Sequence, residues 1–487
     1  MSQLNPKSEH RILYPAFDGG INLSVPPESL ARNELMDAVN VEYSARTGAM
    51  TVRGGLMRRK VSIVTAEGSE EADIYDIENV CALKEWGSVI VRTVGKKIYW
   101  VDFRYGETVR YELDLPGYLP WEHDAPIYAL YFDEYYLLTC GHLMYKLNES
   151  GKIERIAIPD DPDNGRPHIL FPEQLIFRAG RAGVVDGDRL IFSAVGDSLD
   201  WDAWKSGSTA SDAQYIEIGY KDGLEIASVE PMLQDLIVFK SEYWSKSEGK
   251  IYRISGNYPD WTVSQITATE GTYSPETVRV CGNDIYYLTQ GGLKRLSTVV
   301  EYGEVKTSQP DRKVNAELIT ELTPTARMWH IPHKSQLWIQ ASSRNARIWI
   351  YDYGLGIWTK YEFPDAPVSV ESINGKVYVF MRDGIYEQDE SCEYDESADG
   401  TRQAVNGYMQ LGTLTYGWQI LLKGCYAEHA LSPNGTGELS AGKFRMEFKG
   451  TSSRRKCIVR GWTITPEVRL TCGGSRVSLI GFQTAEI

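Results

Sequence analysis

The residues in this chain that could do chemistry are mostly carboxylates, and they come in groups: Asp133 with Glu134, Asp186 with Asp188, Asp197 with Asp200 and Asp202, and Asp383 alone. Paired carboxylates cleave glycosidic bonds when a fold holds them on either side of a sugar. Here each stands in or beside a predicted turn. Aspartate is favoured there because its side chain bonds nearby backbone, so turn formation accounts for these residues without catalysis. His330 and His333 are three apart, but Pro332 between them spoils helical presentation of two metal ligands. The segment DPDNG at 161–165 hints at a calcium loop, yet Pro162 and the lack of a closing glutamate favour a plain turn. Neither GxxxxGK[ST] nor a strand-borne GxGxxG is present to cradle phosphate. Arg58, Arg59 and Lys60, like Arg454, Arg455 and Lys456, are basic triplets without interleaved aromatic residues, and read as loop or interface charges. No catalytic residue, cofactor site or metal site is assigned, and the chain reads as a non-enzyme.

The elements that would position such residues are short hairpins. At 283–296 the sequence NDIYYLTQGGLKRL gives a strand, a Gly-Gly turn and a second strand. The same shape recurs at 96–102 (KKIYWVD), 133–146 (DEYYLLTCGHLMYK), 188–193 (DRLIFS) and 374–386 (NGKVYVFMRDGIY). Hairpins this small must stack on neighbours to bury their apolar faces, and irregular repetition of this kind predicts a β-propeller body over 76–390. Six blades are expected, at 79–113, 126–158, 182–218, 224–266, 276–305 and 327–361. The hairpin 368–388 either adds a seventh or completes the first by strand exchange. An insert at 309–323 reads as helical or irregular.

Residues 1–75 read as an extended N-terminal arm and a hairpin joining the body. Pro26 and Pro27 preclude a central strand, 29–36 offers one helical turn, and 39–43 pairs with 49–55 around a turn at Thr47 and Gly48. Residues 391–402 are acidic and short of apolar side chains, and read as a linker. Beyond them, 403–487 alternates with period two and predicts a small C-terminal β-sandwich. The expected class is thus all-β: a propeller of six, possibly seven, blades with an N-terminal arm and a C-terminal sandwich.

Length and composition agree with a chain of this kind. At 487 residues it is too long for one ordinary core, and its 30 Tyr and 13 Trp suit pleated surfaces. The formal net charge of -15 is uneven. Residues 402–487 hold 11 Lys and Arg against 5 Asp and Glu and carry +6, whereas the residues before them carry -21. A basic end suits an acidic patch on a neighbour or, equally, solvated strand faces, and an acidic body repels free nucleic acid. The seven cysteines are scattered, with no CxxC, and read as reduced thiols packed as small hydrophobes. The polar start and the lack of any long apolar run predict neither a secretory signal nor a membrane span, and so assembly in a cytoplasm.

Three motifs carry a family resemblance: FDGGIN at 17–22, ELMDAVNV at 34–41 and GAMTVRGG at 48–55. Together with the order of propeller and β-rich tail, they resemble the tail nozzle, or phage stabilisation (head-completion, tail accessory), proteins of short-tailed bacteriophages. The resemblance implies a structural virion protein, assembled in the bacterial host cytoplasm and located in the tail. It would form a ring, expected as a homohexamer, below the portal and the adaptor of the head-tail connector complex. It would also meet tail fibre or tail-tip proteins, help retain the packaged genome, and pass DNA during ejection without sequence-specific binding. Subunit contacts are then expected at Phe17, Gly19, Gly20, Asn40, Arg53 and Gly54 in the arm and at Arg454, Arg455 and Lys456 in the tail. The alternative is a tail-tip host-recognition or carbohydrate-binding or carbohydrate-active propeller, with Trp201, Trp204 and Trp358 as sugar-stacking rings.

Overall fold

Runs of valine, isoleucine, tyrosine and tryptophan, cut by glycine and aspartate turns, fold into seven four-stranded antiparallel blades. A computed structural model describes residues 9–486 apart from 66–67, 72, 105–107, 118–125, 161–166, 206–208, 220–221, 242–248, 257–259, 300–303, 454–459 and 472–474. The innermost strands are Ile77–Leu83, Tyr128–Phe132, Leu175–Arg178, Ile226–Met232, Val278–Cys281, Arg327–Ile331 and Ser369–Ile373. They follow one another around an axis, and the last lies beside the first. The protein is therefore an all-β propeller.

The blade count is seven, the alternative left open beside the expected six. Ser369–Ile373, Lys376–Met381 and Gly384–Asp389 form a true seventh blade, and its fourth strand is Gly55–Arg59 from far upstream, paired Ile385 to Arg59 through Asp389 to Gly55. The ring closes by strand exchange, but into the seventh blade rather than the first. Blade three also begins earlier than 182, because Leu175–Arg178 is its inner strand. Aromatic and branched residues fill the seams between neighbouring blades, as with Trp329, Trp338, Ile350 and Tyr361 of blade six against Leu56, Val379 and Tyr386 of blade seven.

The β-rich tail is a sandwich, but not of the C-terminal residues alone. One layer joins Leu414–Ala430, Arg476–Glu486, Thr451–Ser453 and Arg460–Ile464 to three N-terminal strands, Glu9–Tyr14, Val41–Ser44 and Ala49–Val52. The other layer runs Glu34–Val39, Asn406–Leu411, Pro466–Thr471, Thr436–Ala441 and Phe444–Phe448. Glu34–Val39 also meets the outer strand of blade six, Ile357–Glu362, through the parallel pair Val39 and Lys360. The sandwich and blade six thus share one sheet and one core, in which Phe17, Leu35, Met50 and Val52 pack with Trp349, Trp358, Leu422, Phe448, Ile480 and Phe482. The expected turn of helix at 29–36 is a 3-10 turn at Pro27–Ser29 followed by strand, because Leu35, Ala38 and Val39 are drawn into that sheet. The insert at 309–323 holds the short helix Asn315–Glu321, with Leu318 in the same core.

From residue 34 to 71 the chain therefore staples three consecutive blades. It pairs with blade six, supplies a strand to blade seven, and lays Val61–Thr65 parallel to Thr108–Leu113 of blade one. At the midpoint of this path the fully buried Arg53 places all five of its N–H groups. Nε donates to Asn40 Oδ1 at 2.9 Å, Nη1 to Gly54 O at 3.0 Å and Asp395 Oδ1 at 2.9 Å, and Nη2 to Glu362 O at 2.9 Å and Asp395 Oδ2 at 2.6 Å. Asn40 sits in the left-handed region (φ 54) that asparagine tolerates, and its Oδ1 also accepts from Glu362 N at 2.8 Å.

Asp395 belongs to the stretch 391–402 that reads as a linker in the sequence. It is instead a small hairpin, Tyr394–Glu396 with Arg402–Ala404, held by this ion pair.

The arm residues expected at subunit contacts are thereby spent inside their own chain. Phe17 is fully buried, Gly19 donates its N–H to Asn33 O at 2.9 Å, and Gly20 (φ +61) lies against Ile357 and Trp358 with no room for a Cβ. A Cβ on Gly54 would strike the Asp389 carbonyl. Arg454, Arg455 and Lys456 lie outside the described residues.

Removing one partner of a buried ion pair leaves the other charge unanswered, at about 3–5 kcal/mol. Arg53→Met and Asp395→Asn should each lower the unfolding free energy by roughly that amount in urea denaturation followed by tryptophan fluorescence. Losses below about 1 kcal/mol in both would show that other contacts close the ring.

Candidate functional site

The acids singled out in the sequence are spread over turns and strand ends of blades two, three and seven. Asp133 and Glu134 occupy left-handed positions (φ 44 and 68) in the turn between the first two strands of blade two. Asp186 is buried and accepts from Phe171 N at 2.9 Å and from Arg189 Nη2 at 2.6 Å, a structural arrangement. Asp197 caps Leu199 N, Asp200 caps Asp202 N, and Asp383 accepts from the Tyr386 hydroxyl at 3.0 Å. Turn positions or local bonds thus account for Asp133, Glu134, Asp186, Asp197, Asp200 and Asp383. His330 pairs with the Tyr353 hydroxyl at 3.0 Å and His333 with Ser372 Oγ at 3.3 Å, so the two rings serve different partners. Among the described residues no group of three or more His, Cys, Asp or Glu is placed to hold a metal. The segment 161–165 falls outside those residues.

The proposed sugar-stacking rings are also occupied. Trp201 and Trp358 are buried in the core, and Trp204 stacks with His168 at 4.1 Å and with Tyr215 at 4.7 Å. Arg58 pairs with Asp73 at 2.9 Å and Arg59 pairs with Glu387, so that basic triplet is held within the chain.

The converging polar groups lie elsewhere, on the propeller axis. A cavity of about 180 Å³ is lined by residues of all seven innermost strands or the turns leading into them. Its reactive groups are Cys81, Tyr128, Glu230, Glu276, Arg279 and Glu371. Their position follows from strand geometry: alternate residues of an inner strand face the blade seams and the axis, and these take the axial side. Gln174 clamps one of them, donating Nε2 to Glu230 Oε1 at 3.0 Å while its Oε1 accepts from Val229 N at 2.7 Å. Glu371 accepts from Ser369 Oγ at 3.1 Å, and Glu276 is ion-paired with Arg327 at 3.1 Å.

Burial dominates the electrostatics of this site. It pushes the Glu230 carboxyl up to about 7, against the pull of Arg279, Gln174, Ser228 and Lys84. It raises Glu371 as well, opposed by Lys84 and Arg279 and aided by Glu276. The Cys81 thiol is pushed up to about 12 by burial and by Glu371. His330 is pulled down to about 4 by burial, with Lys84 and Arg279 adding to it. The axis therefore holds one carboxyl, Glu230, that exchanges its proton near neutrality and a second, Glu371, that is also raised, beside the Arg279 guanidinium, an arrangement suited to binding small polar groups or handing on a proton.

Sequence reasoning passed over these residues. A signal was present, since Glu230 and Glu371 each interrupt a β-branched run, as V-E in IASVEPM and in VSVESI. Only the closed ring shows that the interruptions meet.

No family model and no curated protein matches the chain. Solved structures similar to it include BamB from Moraxella catarrhalis, at 12% identity and a TM-score of 0.38 over 79% of this chain and 97% of that one. PorZ, a surface component of the type-IX secretion system of Porphyromonas gingivalis, is similar at 14% identity and a TM-score of 0.40, over 79% of this chain and 45% of PorZ. The WD40 domain of Neurospora crassa Pan2 is similar at 7% identity and a TM-score of 0.40, over 64% and 89%.

A carboxyl raised from 4.5 to about 7 on folding keeps a proton in the folded state that the unfolded chain releases across that range. Its contribution is fully present below pH 4.5 and is lost as pH rises through 7. Glu230→Gln keeps the bond from Gln174 and removes this loss. The variant should match the parent at pH 4.5 and exceed it at pH 8 by roughly 1–3 kcal/mol in urea titrations at both pH values. An equal difference at the two would contradict the raised carboxyl.

Proposed function

We propose that this chain is a structural protein of a bacteriophage tail, a nozzle subunit that forms a ring below the portal and adaptor, helps retain the packaged genome and passes DNA at ejection. The resemblance at 17–22, 34–41 and 48–55 is its basis, and one observation carries it furthest. The residues of those motifs bind the propeller and the sandwich into a single body rather than forming a pocket. A protein whose distinctive residues serve stiffness suits a mechanical role.

Charge supports the same reading. The acidic body would repel passing phosphate, while Lys443, Arg445 and Lys449 are exposed along the sandwich edge strand Phe444–Phe448 and its flanks. That basic edge is suited to an acidic propeller on the next subunit, a head-to-tail contact that closes into a ring. The carbohydrate-binding alternative loses support, since its candidate rings are buried or stacked.

The purified protein mixed with adaptor-bearing portal rings of its own phage should add a sixfold ring visible by electron microscopy. Assembly should weaken as salt rises and the Debye length shortens, and Arg445→Glu with Lys449→Glu should reduce it further. Failure to associate at any salt, with retention on a glycan array instead, would favour the host-recognition alternative.

A further inference from the structure

The axial cavity contains opposite charges that do not answer one another directly. Arg279 donates Nη1 to the carbonyls of Pro275 at 2.8 Å and Val278 at 2.6 Å, and among the described residues it makes no ion pair. Those bonds fix the guanidinium and leave its other end available. Lys84, on the exposed turn after the first inner strand, likewise has no ion-pair partner among the described residues, yet both cations act on Glu230 and Glu371. On the acidic side, Glu230 and Glu371 each have one carboxyl oxygen bonded and the other without a protein donor among the described residues.

A lone cation in this space would satisfy the carboxylates and leave Arg279 facing like charge. A lone anion would do the reverse. A ligand with both charges answers both, and a cavity of about 180 Å³ suits a small molecule. Groups converging from separate blades of a closed ring are also held in place beforehand, which lowers the ordering cost of binding.

We propose that the propeller axis is a binding site for a small zwitterion carrying one ammonium and one carboxylate, the ammonium received by Glu230 and Glu371 and the carboxylate by Arg279, with Lys84 at the mouth. The site is independent of the role in a virion: a ring could assemble with it empty, and it could bind with the subunit alone.

Isothermal titration of the full-length protein with β-alanine, 4-aminobutanoate and 5-aminopentanoate, against butylamine and butanoate as single-charge controls, tests this. At least one zwitterion should bind about tenfold more tightly than either control, as one added charge-assisted contact provides. Arg279→Gln and Glu371→Gln should each weaken it about tenfold, with folding verified by circular dichroism. Lys84→Ala, on an exposed turn, should weaken it severalfold and keeps the test decisive if the channel variants fail to fold. Absence of binding by every zwitterion, equal binding of a single-charge control, or affinity unchanged in all three variants would overturn the proposal.

Discussion

A single buried guanidinium decides whether this chain can be one body. Arg53 reaches Asn40, Gly54, Glu362 and Asp395, four points that belong to the N-terminal path, the outer strand of blade six and the hairpin after blade seven. A charge in such a place is tolerable only when every donor is matched, because desolvation is otherwise uncompensated. Here the planar fork fits its carboxylate with two parallel bonds, and the faces of Tyr361 and Phe363 lie within 5.9 Å and 5.0 Å of it. Any rearrangement of one segment therefore breaks bonds to the other two.

The consequences run outward from that node. Leu56 N also donates to Asp395 Oδ1, so the ion pair fixes the register of the strand that closes blade seven. One residue before Arg53, Val52 enters the sandwich core. Ring closure and docking of the sandwich are thus the same event, and the two halves share a core instead of a hinge. A closed ring in turn lets seven inner strands hold the axial carboxyls and cations in place, since no blade can move away from the axis alone.

Much of this was legible from local pattern. Period-two runs broken by glycine and aspartate located the blades, because each hairpin is set by nearby residues. What escaped was non-local. The seventh blade takes its fourth strand from Gly55–Arg59, which no local pattern joins to Gly384–Asp389. The acidic stretch around Asp395 looked solvated because its partner, Arg53, lies so far upstream. The glycines at 19, 20 and 54 were expected at subunit contacts, yet they allow close approach inside the chain. Trp201 and Trp358, offered as sugar-stacking rings, are buried in the cores, while the axial glutamates went unremarked because their meeting depends on the ring.

The central claim is that the N-terminal strand is an integral part of the closed ring and opens only with it. Native-state hydrogen exchange, read by mass spectrometry on peptides covering 55–59 and 384–389, measures this directly. The account predicts that both peptides exchange together, at the free energy of global unfolding and with the same denaturant dependence. Exchange of 55–59 by local fraying, several kcal/mol below the protection of the inner blade strands, would contradict it.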